Sequence, residues 1–312
     1  MINKIKNLIH SLGKTSNFDD ISFKIGCSHF NIMKNFYPKI RNFSDTSYKV
    51  YSQNGEDGFI DYLLFTLKID KPKFIEIGIG TYKECNTRFL FERMAPEGLV
   101  IDYINDLEKK IKKNIKFWKG DLTIVNQIIN TENIVDILRK NNFLTDIDLF
   151  SLDIDGIDYW ILEKIPDNFS KICVIEYNSI FGDQLEITVP NIKDFNRKDY
   201  HFSYLCYGMS LKALIKKMDE KGFIFVGSNE LNNNAFFIQK KYSPNLNIEF
   251  PDINNLKKFT VSNIRESRDK NENLNYLSKE ERLKAIENCE VIDVSNKKNE
   301  KIKIKDLLNK QN

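Results

Sequence analysis

"FIEIGIGTYKECNTRFL", residues 74–90, runs an apolar stretch into Glu76, Gly78 and Gly80, then into a segment with helical periodicity. That is a strand entering a tight turn at the start of a helix, where open parallel sheets hold their ligands. A dinucleotide fingerprint needs a third glycine so that the helix packs close to the strand. Lys83 stands at that position, with Tyr82 before it. The turn therefore argues against a pyrophosphate-bearing cofactor.

Outward from this stretch, short apolar strands alternate with amphipathic helices. Helical periodicity marks 58–67 and 86–94, followed by a strand over 98–103 and a helix over 106–114. "IKFWKGDL" (115–122) reads as the third strand and 125–141 as a helix; strands 147–155 and 171–178 flank a short helix at 158–165. After an insertion come a helix at 210–222 and two strands, 223–228 and 235–239, separated by the turn-rich "NELNNN". Helix-linked strands imply a parallel sheet covered on both faces, and the closing hairpin places an antiparallel strand at one edge. The expected fold is α/β, a doubly wound, mainly parallel seven-stranded sheet of Rossmann-like type. It divides as 1–47, N-terminal helical segment; 48–242, main domain; and 243–312, polar extension. Within that extension "SKEERLKAIEN" begins like a capping box, and "CEVIDV…KIKIKDLL" reads as a small hairpin.

The 312 residues, 41% hydrophobic and 29% charged, have the composition of a soluble globular protein. With 47 basic against 44 acidic residues, no concentrated positive charge points to nucleic acid. Cys27, Cys85, Cys173, Cys206 and Cys289 are scattered without a CxxC spacing, and read as free thiols in a reducing compartment. "MINKIKNLIHSLGK" lacks a continuous apolar run and reads as an amphipathic helix packed on the domain. No later segment reaches membrane-spanning length. The expected location is the cytoplasm, and the oligomeric state stays open.

The polar residues at the strand ends are Glu76, Asp102, Asp121, Asp153, Asp155, Glu176 and Asn178. This rim is acidic on a slightly basic chain, and carboxylates repel phosphates. S-adenosylmethionine carries no phosphate, but has a sulfonium, an ammonium, a carboxylate and a ribose diol. Gly78 and Gly80 would let the backbone approach it, Glu76 suits the ammonium side, and Asp102 can accept from both ribose hydroxyls. An NAD-type ribose acid would stand at a similar distance from the glycines, so Asp102 alone does not discriminate.

"SLDIDGIDYW" (151–160) places Asp153 and Asp155 on one side of a strand. Either, with Glu176 and Asn178, could hold magnesium through oxygen ligands. The alternative is that one aspartate contacts the cofactor and Asp158 caps the next helix. Asp155 and His201 are the candidate proton acceptors. His201 titrates near working pH, although a surface histidine without a role is the plainer reading.

"YSQNGEDGFIDYLL" (51–64), the opening stretch, "LFSLDIDGIDYWIL" (149–162), "VIEYNSIFG" (174–182), "YGMSLKALIKKMDEKGF" (207–223) and "NAFFI" (234–238) occur in that order. Together they resemble a bacterial branch of the FkbM-like, S-adenosylmethionine-dependent methyltransferases. The resemblance implies a class I methyltransferase fold and O-methylation of a carbohydrate-type acceptor, a surface glycan or a nucleotide-sugar relative. It implies that Glu76, Gly78, Gly80 and Asp102 hold cofactor and that Asp121 sits near adenine. It further implies that Asp153 lies beside the methyl donor or a metal, and that Gln53, Glu56 and Asp57 close over the cofactor. Tyr82 departs from the usual glycine. Two rivals remain: an NAD-dependent oxidoreductase, and a non-catalytic cofactor-binding member of the fold.

Overall fold

The computed structural model describes residues 15–261, 264–296 and 298–311; the expected N-terminal amphipathic segment lies outside them. The strands in chain order are β1 (Lys73–Ile77), β2 (Glu97–Asp102), β3 (Asp121–Asn126), β4 (Ile147–Leu152) and β5 (Ser170–Glu176). They continue with β6 (Ile187–Thr188), β7 (Phe223–Ser228), β8 (Asn234–Gln239), β9 (Glu290–Asp293) and β10 (Glu300–Lys303). Seven of them form one sheet in the order β3-β2-β1-β4-β5-β8-β7. The first five are parallel, joined by helical crossovers. Order reverses between β1 and β4, the switch point where such sheets bind ligands.

The expected hairpin is present, but its antiparallel strand is not at the edge. β8 lies between β5 and β7, antiparallel to both. The helix Leu211–Glu220 carries the chain one strand spacing past β5, and the returning strand fills the gap. Alternating side chains give the sheet two cores. Ile75, Leu99, Phe150, Ile175 and Phe237 face one; Phe74, Val100, Leu149, Val174 and Phe236 face the other.

The third strand departs from the sequence reading. Phe117–Lys119 forms a single 3₁₀ turn, and β3 begins only at Asp121. The apolar run misled because Trp118 is 81% exposed rather than packed inward. The helix expected from 125 starts at Ile134, after β3 has used the residues up to Asn126. One consequence reaches the site. Asp121 pairs with Glu97 at the amino end of the sheet, and Asn126 stands beside Asp102 at the carboxyl end.

The extension forms the expected β9–β10 hairpin, preceded by the helix Lys279–Ile286 with its Ser278–Glu281 capping box. β6, from the insertion, pairs with β9 and completes a three-stranded sheet. Ile286, Val291 and Ile304 are buried in the same core as Ile187 and Leu211. The extension thus packs against the crossover that builds one wall of the site.

Candidate active site

The loop after β1 is held by backbone contacts from two sides. The Gly78 amide donates to the Ile101 carbonyl at 2.9 Å, and the Asp153 amide donates to the Ile77 carbonyl at 3.0 Å. Gly78 has φ +85°, and a Cβ there would lie 1.5 Å from the Asp153 carbonyl oxygen. Only glycine permits that approach. Gly80 also lies in the left-handed region, at φ +54°, but a Cβ on it would meet nothing within 4 Å. Its amide donates to Asp102 Oδ2 at 2.7 Å, while the Tyr103 amide donates to Oδ1 at 2.6 Å.

Glu76 does not face the cavity. Its oxygens accept from the Asn86 amide (2.7 Å), the Thr87 amide (2.9 Å) and the Thr87 hydroxyl, so it fixes the far end of the loop. Burial pushes its carboxyl up to about 7 against those hydrogen bonds. The expected ammonium contact is therefore corrected: the acid is spent on backbone donors. Tyr82 is fully buried, and its hydroxyl meets Thr87 Oγ1 at 2.8 Å. It packs among Ile79, Cys85 and Leu90, away from the ligand side.

A cavity of about 620 Å³ opens outside the carboxyl ends of β1, β2 and β4. Gly78, Gly80, Asp102, Asp153 and Asp155 line it, Gln53 closes one side, and Gln127–Ile129 follow the end of β3. In the block around Gln53, neither Glu56 nor Asp57 reaches the cavity. Glu56 accepts from the Asn229 and Asn234 side-chain amides at 2.7 and 3.0 Å. Asp57 Oδ2 accepts from the Val50, Tyr51 and Ser52 amides. Both acids are structural anchors. Asp121, at the opposite end of β3, is too remote for the adenine role; Gln127 occupies that side instead.

Asp153, Asp155 and Glu176 bring carboxylate oxygens within 4.8 Å of one another. Burial first, and neighbouring carboxylates second, push Asp153 and Glu176 upward. Burial also raises Asp155, opposed by Arg197, whose guanidinium donates to Asp155 Oδ1 at 2.6 Å. Glu176 Oε2 is buried without a hydrogen-bond partner among the described residues. Asn178 leaves the expected metal set: its amide donates to the Leu205 and Tyr207 carbonyls at 2.9 and 3.1 Å, and its oxygen caps Ile180. His201 pairs through Nδ1 with Ser203 Oγ at 2.7 Å, and does not line the cavity. Burial lowers its pKa. Of the two proposed bases, only Asp155 borders the cavity.

No protein-family model matches the chain, and no curated protein sequence matches it. Solved structures do. One is an S-adenosylmethionine-dependent methyltransferase from Clostridium acetobutylicum, at 9% identity over 59% of this chain and 90% of that one, TM-score 0.39. M. capricolum TrmK, in complex with S-adenosyl-homocysteine, matches at 13% identity over 61% and 70%, TM-score 0.33. The O-methyltransferase TomG from Streptomyces achromogenes, in complex with SAM, matches at 12% over 61% and 82%, TM-score 0.35. Likeness at this level concerns the fold alone, and the chemistry rests on this chain's own residues.

Sequence reasoning missed Arg197 and Phe195, both in the insertion. Phe195 lines the cavity over Gly156, where a Cβ would lie 2.9 Å from the ring. Arg197 is 42 residues from its partner Asp155. No spacing rule connects residues brought together by a crossover of that length.

Proposed function

We propose that the chain is an S-adenosylmethionine-dependent O-methyltransferase acting on a hydroxyl of a carbohydrate-type acceptor. The observation that carries this reading is the acid-lined cavity at the switch point, with Asp102 laid across Gly80. Four carboxylates on the wall, Glu84, Asp102, Asp153 and Asp155, disfavour a pyrophosphate, whereas Asp102 retains acceptor capacity for a ribose diol. Lys83, at the rim, suits the methionine carboxylate, and Ile128, Ile129 and Tyr103 suit a flat apolar base.

Held there, S-adenosylmethionine would supply an electrophilic methyl group on its sulfonium for in-line transfer to the acceptor oxygen, with the neutral thioether of S-adenosylhomocysteine as leaving group. The chain's part is mostly positioning. Gly78 and Gly80 hold the backbone close, Asp102 fixes the ribose, and Phe195 covers the cavity from the insertion side. Asp155 takes the proton released by the acceptor hydroxyl, and Arg197 keeps that carboxylate oriented. The Asp155-Arg197 pair is itself at the boundary between the cavity and the insertion, where an acceptor would enter.

Asp153, Asp155 and Glu176 also fit a hard divalent cation such as magnesium: the donors are all oxygen, and Glu176 Oε2 lacks a partner among the described residues. Such an ion would supply a lower pKa to a bound hydroxyl. Titration of magnesium into wild type and Glu176→Gln tests this; equal heats from both refute it.

Calorimetry with S-adenosylmethionine, S-adenosylhomocysteine and NAD tests the main reading. Micromolar affinity for the first two, weakened at least tenfold by Asp102→Ala, supports it. Binding of NAD alone overturns it in favour of an oxidoreductase. Cofactor binding with no transfer to any glycan acceptor favours a non-catalytic member of the fold.

A further inference from the structure

The helix Thr15–Met33 is apolar on two opposite sides. Its inner side is docked: the Phe23 ring meets Phe89 at 6.0 Å, Phe30 meets Phe65 at 6.5 Å, and a Cβ on Gly26 would lie 2.5 Å from Val50. Phe18, Ile21, Ile25 and Ile32 recur at helical spacing on the outer side, each more than half exposed. A helix apolar all round ordinarily lies inside a protein, yet this stripe faces outward. We propose that the stripe, with the basic segment beside it, seats the protein reversibly on an anionic lipid surface. The proposal does not depend on the methyltransferase reading.

Residues 114–119 lie alongside the same helix. Lys116 pairs with Asp20, Lys119 Nζ sits 3.9 Å from the Phe23 ring centroid, and Arg88 donates to both Asp19 (2.8 Å) and the Asn114 carbonyl (2.9 Å). Trp118, on that segment, is the most exposed large apolar side chain among the described residues. Just before it, the helix Leu107–Asn114 buries Leu107 and Ile111 and turns Lys109, Lys110, Lys112 and Lys113 to solvent. Nearby acids are answered within the chain: Asp19 by Arg88, Asp20 by Lys116, and Glu108 by Lys112 at 2.6 Å. Asp106 is then set against Lys109, Lys110 and Lys113, a positive surplus. In sequence, residues 1–14 add Lys4, Lys6 and Lys14 and no acid.

An anionic leaflet takes all three features together. Aliphatic and phenyl groups enter the acyl boundary, tryptophan sits at headgroup level, and lysines meet lipid phosphates. Other occupants use only part of this surface. Isoleucines offer a nucleic acid neither stacking nor base-edge hydrogen bonds. A second copy would bury the stripe but set lysine against lysine.

The test is co-sedimentation of the full chain with vesicles of phosphatidylcholine, alone or with about one third phosphatidylglycerol. Binding at least about tenfold stronger to the anionic vesicles, and weakened by salt, supports the proposal. So does a blue shift of tryptophan emission that Trp118→Phe abolishes; the other tryptophan, Trp160, is held by the Val189 carbonyl at 2.7 Å. Ile21→Ser with Ile25→Ser, and Lys109→Glu with Lys113→Glu, should each weaken vesicle binding at least about tenfold. As changes to exposed residues, each pair should lower the melting temperature by less than about 4 °C. A larger fall in the isoleucine pair means that the chain itself covers the stripe, and overturns the proposal. Equal binding to both vesicle types, no binding, or binding unaffected in both variants overturns it too. Without vesicle binding, a dimer abolished by the isoleucine pair assigns the face to a second copy, and retention of single-stranded RNA assigns it to nucleic acid. Vesicle binding without affinity for S-adenosylhomocysteine would refute the methyltransferase reading and leave the lipid surface standing.

Discussion

Gly78 and Gly80 share a left-handed backbone two residues apart, yet the structure gives them different work. In Gly78→Ala the new Cβ would stand 1.5 Å from the Asp153 carbonyl oxygen, backbone that cannot rotate away. A carbon–oxygen contact needs roughly twice that separation. The loop and the end of β4 would have to part, breaking the 3.0 Å bond from the Asp153 amide to Ile77. A lost hydrogen bond of about 1 kcal/mol, a left-handed alanine of about 1 kcal/mol and residual strain sum to about 3 kcal/mol. In Gly80→Ala only the backbone term remains, about 1 kcal/mol, because the Cβ enters open space. That space is the cavity, so its effect should fall on cofactor affinity instead. Urea denaturation gives the stabilities, and calorimetry with S-adenosylhomocysteine the affinities. The expected result is a stability gap of about 2 kcal/mol between the variants, with Gly80→Ala folded but binding at least tenfold more weakly. Equal stability losses would refute the reasoning.

Asp155→Asn should lower turnover by roughly 10²–10⁴-fold while leaving cofactor affinity within about threefold. His201→Gln should change turnover by less than about twofold; the reverse ranking would transfer the base role to the insertion. Glu76, Asp57, Asp61 and Asp158 are raised by burial to about 7, 6, 6 and 6. Acids raised on folding bind more protons in the native state, so stability is greatest below their unfolded values near 4 and falls as pH rises to about 7. The urea midpoint should therefore decline between about pH 4 and pH 7 and level off above it, and a midpoint rising through that window would contradict the burial of these groups. Glu76→Gln should cost about 2 kcal/mol, since an amide N–H₂ would face the backbone donors that now face oxygen.

Most of the sheet was legible in sequence because strand and helix periods differ and side chains alternate across a strand. β1, β2, β4 and β5 and the closing hairpin were set by that local pattern. So were Gly78 and Asp102, which sit where strand and turn chemistry meet. β3 was misplaced because in "IKFW" Ile115 is buried while Trp118 is exposed, and apolar composition alone cannot report which way a residue faces. That error moved Asp121 to the wrong end of the sheet.

What only the tertiary structure decided was which charges meet. Sequence put Glu76 and Asn178 at strand ends, but their hydrogen-bonding capacity is taken by Asn86 and Thr87, and by Leu205 and Tyr207, residues that reach them only after the loops fold back. Equally, Arg197 faces Asp155 because the insertion crosses over the end of β4, a contact set by three-dimensional packing. Periodicity is a local property, fixed by a few neighbouring residues; hydrogen-bond and charge pairing is a property of the assembled whole. The sequence by itself determined the scaffold and which strand ends carry acids. The tertiary structure decided which of those acids line the cavity.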